Sequence, residues 1–359
     1  MDTSASSPRE RLAAFPPAPR PPRGLQQSRL DYPVLAASAV GDWAHAQLAR
    51  VTECRRGFLQ HAGTLYQPLL YSFAAPGKQL RPLLLLGFSE LSPRLHPPDD
   101  TVIAAAAAIE ALHECSLLHD DVIDHSTVRR GRRSVAAAFT VRAAAHAGAF
   151  LAAQAITTLA RACERAGFEA DLQLLRQLAR AQIVETLPPA GSTAECLARA
   201  RAIVHGKTGV LLRLAIEVGA RFEAAFGGLV IGERDLGNFW EALALVYQIR
   251  DDILDLEHGE RLHRPGGNDL REGRPSWPII LWITSRQDIE GAWCRLREGA
   301  DDASAIEHLR REILGSEAVE QAWKMVDEEA VRARALLLPL PESRGRELLL
   351  KLLACLQAR

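Results

Sequence analysis

The stretch DTVIAAAAAIEALHECSLLHDDVIDHSTVRRG, residues 100–131, decides the fold. Its apolar residues run without Pro or Gly to about residue 128 and without the strict alternation of a half-buried strand, so it reads as a long buried helix. Working outward, helical stretches are predicted at about 34–54, 56–73, 79–92, 134–166, 168–187, 193–221, 233–257, 276–286, 303–314, 316–337 and 342–357. Pro76-Gly77, Pro97-Pro98, Gly131, Pro188-Pro189, Gly227-Gly228, the 259–275 loop and Pro339/Pro341 punctuate them. Strand signals are nearly absent, and no Asn-Gly or Asp-Gly closes an alternating pair of segments. The expected class is all-α: one large helical bundle over 31–359 around a central apolar cavity. Residues 1–30, rich in Pro, Arg and Ser, are expected to form a disordered tail.

Composition narrows the chemistry. The 359 residues are 48% hydrophobic and 24% charged, enough for a large core, with a net charge of −1. No global field grips nucleic acid or an anionic membrane, and no basic stripe interleaved with aromatics suggests a nucleic-acid partner. The chain has four Lys and thirty-nine Arg, so a Lys retained against that bias carries information. Six scattered Cys form neither C-x-x-C pairs nor metal spacings, which fits reduced thiols in a cytoplasm. No unbroken apolar run reaches the roughly 18–20 residues of a transmembrane segment. Asp2, Glu10 and the Pro run argue against an organelle transit peptide.

The strongest motif occurs twice. Asp120-Asp121-Val122-Ile123-Asp124 and Asp251-Asp252-Ile253-Leu254-Asp255 are both D-D-x-x-D within apolar helical stretches. Asp120 and Asp124 fall one turn apart on one helix face, as do Asp251 and Asp255. Three carboxylates in five residues repel one another unless a cation lies between them. Oxygen-only ligands favour a hard ion, with magnesium the best fit. Taken singly such a cluster is most often a solvated face; the repetition makes that reading hard to keep. Asp99-Asp100 and Asp301-Asp302 lack the third Asp and read as surface or cap residues. Basic residues accompany the acids: Lys78 and Arg81 after Pro76-Gly77, His113 two turns before Asp120, Arg129-Arg130-Gly131 after Asp124, and Lys207-Thr208 opening a further apolar helix. Carboxylates, metal and guanidinium forks together suit a diphosphate.

GKQLRP, LLHDDVIDHSTVRRG, KTG, YQIRDDILD and GNDLREGRPSWP, in this order and spacing, resemble the trans-isoprenyl diphosphate synthases, or polyprenyl synthetases, over roughly 35–359. The resemblance implies an isoprenoid-synthase-type helical bundle, a homodimer, and condensation of isopentenyl diphosphate with an allylic diphosphate. It implies three Mg2+ ions held by Asp120, Asp124 and Asp251, with Asp121, Asp252 and Asp255 acting directly or through metal-bound water. Arg129, Lys207, Thr208 and Gln248 would hold the allylic substrate, and Lys207 would also serve catalysis. Lys78, Arg81, His113 and Arg130 would hold the diphosphate of isopentenyl diphosphate. Arg264 and Arg274 stand where the family usually has Lys. Further departures are Arg133 for Pro, Gly148-Ala149 for Gly-Asp, Ala181-Gln182 for Gly-Glu, and Arg274-Pro275-Ser276-Trp277-Pro278 for Lys-x-Thr-x-Pro.

In this family a large aromatic four or five residues before the first Asp stops chain growth early. Here those positions are Ser116 and Cys115, with Ala111 and Ala104–Ala108 behind, so a product of twenty carbons or more is expected. The plainer reading of the alanine run is close helix packing. Two other functions compete: a class I terpene cyclase, which needs no second diphosphate site, and a non-catalytic subunit of a heteromeric synthase, which should have lost an Asp motif.

Overall fold

The computed structural model describes residues 32, 35, 38–75, 77–93, 98–186, 193–257, 266–274, 276–286, 291 and 302–358. The predicted tail over 1–30 and Arg264 lie outside the described residues. The chain is all-α, as expected. Helix α1 (Ala39–Gly57) is capped by Ser38. Two 3-10 turns (Phe58–His61, Gly63–Leu65) lead into α2 (Tyr66–Phe73). Next come α3 (Leu80–Phe88) and α4 (Asp100–Ile123), the latter capped by Asp99 through the Thr101 N–H at 2.7 Å. Then follow α5 (Val135–Ala138), α6 (Val141–Arg165), α7 (Gln173–Thr186), α8 (Thr193–Ile203) and α9 (Val210–Ala225). The described chain closes with α10 (Glu233–Glu257), α11 (Asn268–Arg271), α12 (Trp277–Thr284), α13 (Ala303–Leu314), α14 (Ala318–Leu337) and α15 (Arg344–Gln357).

Helix α4 is central. Ala105–Ala108, Ile109 and Ala111 are fully buried, and the most extensive helix pairing in the fold is α4 on α6. The alanine run is therefore close packing in this structure. On α6 the matching stripe is Ala144, Ala147, Gly148, Leu151, Ala155 and Leu159, spaced by three and four residues. At Gly148 the approach is tightest: a Cβ there would stand 2.4 Å from His119 Nε2. Helices α1 and α3 also pack on α4, α9 on α3, and α14 on α10. A second, smaller core joins Leu256, Leu270, Trp282, Ile306 and Ile313.

Three local expectations are corrected. The helix predicted to residue 128 ends at Ile123, with His125 left-handed and a two-stranded hairpin after it. Strands β1 (Val128–Arg129) and β2 (Arg132–Arg133) pair antiparallel across Arg130-Gly131. Both turn residues have positive φ (51° and 70°), the geometry that lets a two-residue turn follow strand twist. An Arg-Gly turn escapes a search for Asn-Gly. The helix predicted at 134–166 breaks at Phe139, and Thr140 recaps it through the Ala143 N–H at 3.0 Å. Lys207-Thr208 does not open a helix but lies in a π turn (Val204–Gly209) joining α8 to α9. The expectation that no unbroken apolar run spans a bilayer stands, although by length and composition alone α4 and α6 would be long and apolar enough. In α4, Glu110, His113, Glu114 and Asp120 interrupt the run, and 72% of its apolar window is already buried in the fold.

Candidate active site

Both Asp motifs occupy the C-terminal turns of their helices, α4 and α10. Three carboxylates at the negative end of a helix dipole gain nothing from the helix itself, so their compensation comes from neighbouring elements. Lys207 Nζ lies 3.4 Å from Asp120 Oδ2, and Arg274 Nη2 lies 3.2 Å from Asp124 Oδ1. Arg129 sets its fork on one oxygen of Asp121, at 2.8 Å from Nε and 2.6 Å from Nη2.

The second motif is held by the same elements. Thr208 Oγ1 donates to Gln248 Oε1 at 2.8 Å, and Gln248 Nε2 donates to Asp252 Oδ1 at 2.7 Å. The backbone N–H of Trp277 donates to the other Asp252 oxygen at 2.9 Å. Asp255 accepts from the Asp269 N–H through its carboxylate and from the Gly267 N–H through its carbonyl. Lys207 thus touches the first motif while its neighbour Thr208 reaches the second through Gln248; Arg274 touches the first and Trp277, three residues on, the second. These two cross-links bring the acid triads to one mouth.

The six acids are not equivalent. Asp251 and Asp124 remain partly exposed. Asp120, Asp121, Asp252 and Asp255 are buried. Burial pushes the Asp252 carboxyl up to about 7, helped by the charges of Asp251 and Asp255 and opposed by its two donors. Asp121 is raised by burial against the pull of Arg129, and Asp269 is raised by desolvation and by the charges of Asp252 and Asp255. No three His, Cys, Asp or Glu among the described residues are gathered into a ready metal site. Lys207 and Arg274 neutralise the first motif instead, and the donor set facing them is oxygen only.

The second basic group assembles beside the first, one to two turns back along α4. Gln79, left-handed at φ 53°, turns the chain between Lys78 and buried Arg81, a strained non-glycine conformation of the kind that clusters at functional sites. Arg81 sits near Tyr247, Glu110 and Tyr32, and burial lowers its pKa. Arg130 packs against Gly77, donates to the Ala75 carbonyl and pairs with Glu114 at 3.3 Å. His113 lies on the α4 face that carries Ser116 and Asp120; burial and then the charges of Arg81 and Arg130 hold its pKa well below the usual range. A small cavity of about 20 Å3, room for one water, is lined by Asp121, Arg129, Glu114 and Arg130.

Lys207, Thr208, Gln248, Arg129 and Arg274 thus lie at the acid mouth, while Arg81, His113 and Arg130 gather beside it with Lys78 next in the chain. Sequence reasoning missed Glu114, whose carboxylate also accepts a hydrogen bond from the Ser72 hydroxyl. It missed Asp269 and the Trp277 N–H as well. Asp269, a third acid close behind Asp255, was a usable signal; a backbone N–H has none.

A polyprenyl synthetase family model matches residues 62–313. The chain belongs to this family. Its members are prenyltransferases. A nonaprenyl diphosphate synthase of Mycobacterium tuberculosis is 30% identical over 85% of this chain and 90% of its own length. A farnesyl diphosphate synthase of Geobacillus stearothermophilus is 32% identical over 70% of this chain and 88% of its own. Among solved structures, a polyprenyl synthase of Caulobacter crescentus, crystallised with calcium and isoprenyl diphosphate, superimposes with a TM-score of 0.72. It is 25% identical, covering 93% of this chain and 99% of its own.

Proposed function

We propose that this polyprenyl synthetase joins isopentenyl diphosphate to an allylic diphosphate, with magnesium, and releases a linear polyprenyl diphosphate of twenty carbons or more. The observation that carries the reading is the pair of cross-links, Lys207-Thr208 and Arg274 with Trp277, that brings both acid triads to one mouth beside a separate cationic cradle. A cyclase needs no such cradle, and both triads are intact.

Asp120, Asp124 and Asp251 would hold the magnesium ions, three by family resemblance; their oxygen-only donors, and the exchangeable Lys and Arg partners of Asp120 and Asp124, suit hard dications. Bound magnesium supplies positive charge to the leaving diphosphate. Lys207, Arg129 and Arg274 add charge-assisted hydrogen bonds to the same group, lowering the cost of breaking the allylic C–O bond. Asp252 is a positioning residue, both its oxygens being used inside the protein, and Gln248 links it to Thr208. Lys78, Arg81, His113 and Arg130 orient isopentenyl diphosphate so that its double bond attacks the allylic cation. The released diphosphate then takes the proton that the product loses.

Ser116, one turn below Asp120 on the same face, leaves room for the growing chain; Cys115 turns instead towards His119. Helix α6 is apolar, yet only 39% of its window is buried within one copy, which supports a homodimer through that face. The test is incubation with isopentenyl diphosphate, a panel of allylic primers and magnesium, followed by mass analysis after phosphatase treatment. Linear alcohols of twenty carbons or more are expected. Cyclic hydrocarbon from a primer alone would refute the reaction, and a fifteen-carbon sole product would refute the chain length.

A further inference from the structure

Arg55 belongs to no motif. It lies in the last turn of α1, is only 3% exposed, and stacks its guanidinium 4.4 Å over the ring of Phe73. Its Nε finds no hydrogen-bond partner, and no carboxylate pairs with it among the described residues. A buried guanidinium without a counter-ion is costly, and a fold that keeps one commonly keeps it for an anion. Its location names the anion. Phe73 lies two residues before Ala75, whose carbonyl holds Arg130, and four before Gly77, on which Arg130 packs. Two more buried donors in this neighbourhood, Arg81 Nε and Gln79 Nε2, are also unpartnered among the described residues. The charge of Arg55 is felt at His113.

We propose that Arg55 is a further binding residue of the isopentenyl diphosphate cradle, completing the ring of Lys78, Arg81, His113 and Arg130 from the α1 side. Phe73 holds the planar fork at a fixed angle, so little rotamer freedom is lost when phosphate oxygens arrive. The inference rests on the proposed reaction and deepens it.

The test uses the full chain with Arg55→Met and Arg55→Lys. Isopentenyl diphosphate is titrated at saturating allylic primer and magnesium, and then the reverse. Separately, calorimetry follows inorganic pyrophosphate binding in EDTA, where the metal-dependent allylic site is silent. For Arg55→Met the KM for isopentenyl diphosphate should rise tenfold or more and that for the primer stay within twofold. Pyrophosphate binding in EDTA should weaken by a similar factor. Arg55→Lys should show a smaller change of the same kind, and it decides the matter if the Met variant does not fold. An unchanged KM for isopentenyl diphosphate overturns the inference; so does a parallel rise in both KM values with a lower melting temperature, the signature of a merely structural role. If the wild type elongates no primer, the reaction is wrong, while the calorimetry still decides for or against Arg55.

Discussion

Gly148→Ala should destabilise the fold through one contact. The added Cβ would stand 2.4 Å from His119 Nε2 and 2.7 Å from His119 Cδ2. Ordinary carbon contacts begin near 3.5 Å, so the ring must retreat by about 1 Å. It has little room: its Nδ1 faces Cys115 Sγ at 3.9 Å, and its Nε2 lies 3.4 Å from the Ala145 carbonyl. Overpacking of this kind costs about 1–3 kcal/mol. For a helical unit of this size that lowers Tm by roughly 2–4 °C per kcal/mol. Thermal melts followed by circular dichroism would read it, with His119→Ala as the second arm of a double-mutant cycle. The double variant should recover most of the loss, because the ring that collides is gone. A Gly148→Ala melt within a degree of wild type would refute the packing argument. A loss that His119→Ala leaves unrelieved would refute it equally.

Asp120→Asn should leave the fold intact and lower turnover about a hundredfold or more, since weakening a metal ligand removes the positive charge held against the leaving diphosphate; near-normal turnover would remove the metal assignment. Ser116→Phe should shorten the product by at least one isoprene unit, because Ser116 sits about 6 Å, one helical turn, from Asp120; an unchanged alcohol ladder by mass spectrometry would exclude it as a wall of the channel. Metal-free stability should fall as pH rises from about 4 through 7. Asp252 is raised to about 7 in the fold, so its contribution is complete below the ordinary carboxylate value and is lost as it ionises. Asp121 and Asp269, also raised by burial, act in the same direction. A urea midpoint that climbs over this range would contradict that sign.

The helical class was legible because length and apolar pattern agree over α4, α6 and α10. The paired D-D-x-x-D motifs were legible because charge repulsion makes such spacing rare without purpose. What the sequence hid was set by backbone and by distant neighbours. The Arg130-Gly131 turn looks like a basic run until both φ angles are known. Lys207 and Thr208 look like a helix start, and only the wide turn reveals that they diverge towards two different motifs. Six acids read alike in one dimension, yet Asp252 is consumed by Gln248 and the Trp277 N–H, while Asp120 and Asp124 meet exchangeable cations. Arg55 is one arginine among thirty-nine until burial separates it.

The wide turn at Val204–Gly209 works as a phase shifter between two ordinary coils. Taking out a single residue there would restore regular winding and rotate everything on one side by about 100° relative to the other. The resulting helix would be locally sounder, yet Lys207 and Thr208 could no longer reach Asp120 and Gln248 together. At this point the protein keeps a slightly worse helix in return for two side chains in register.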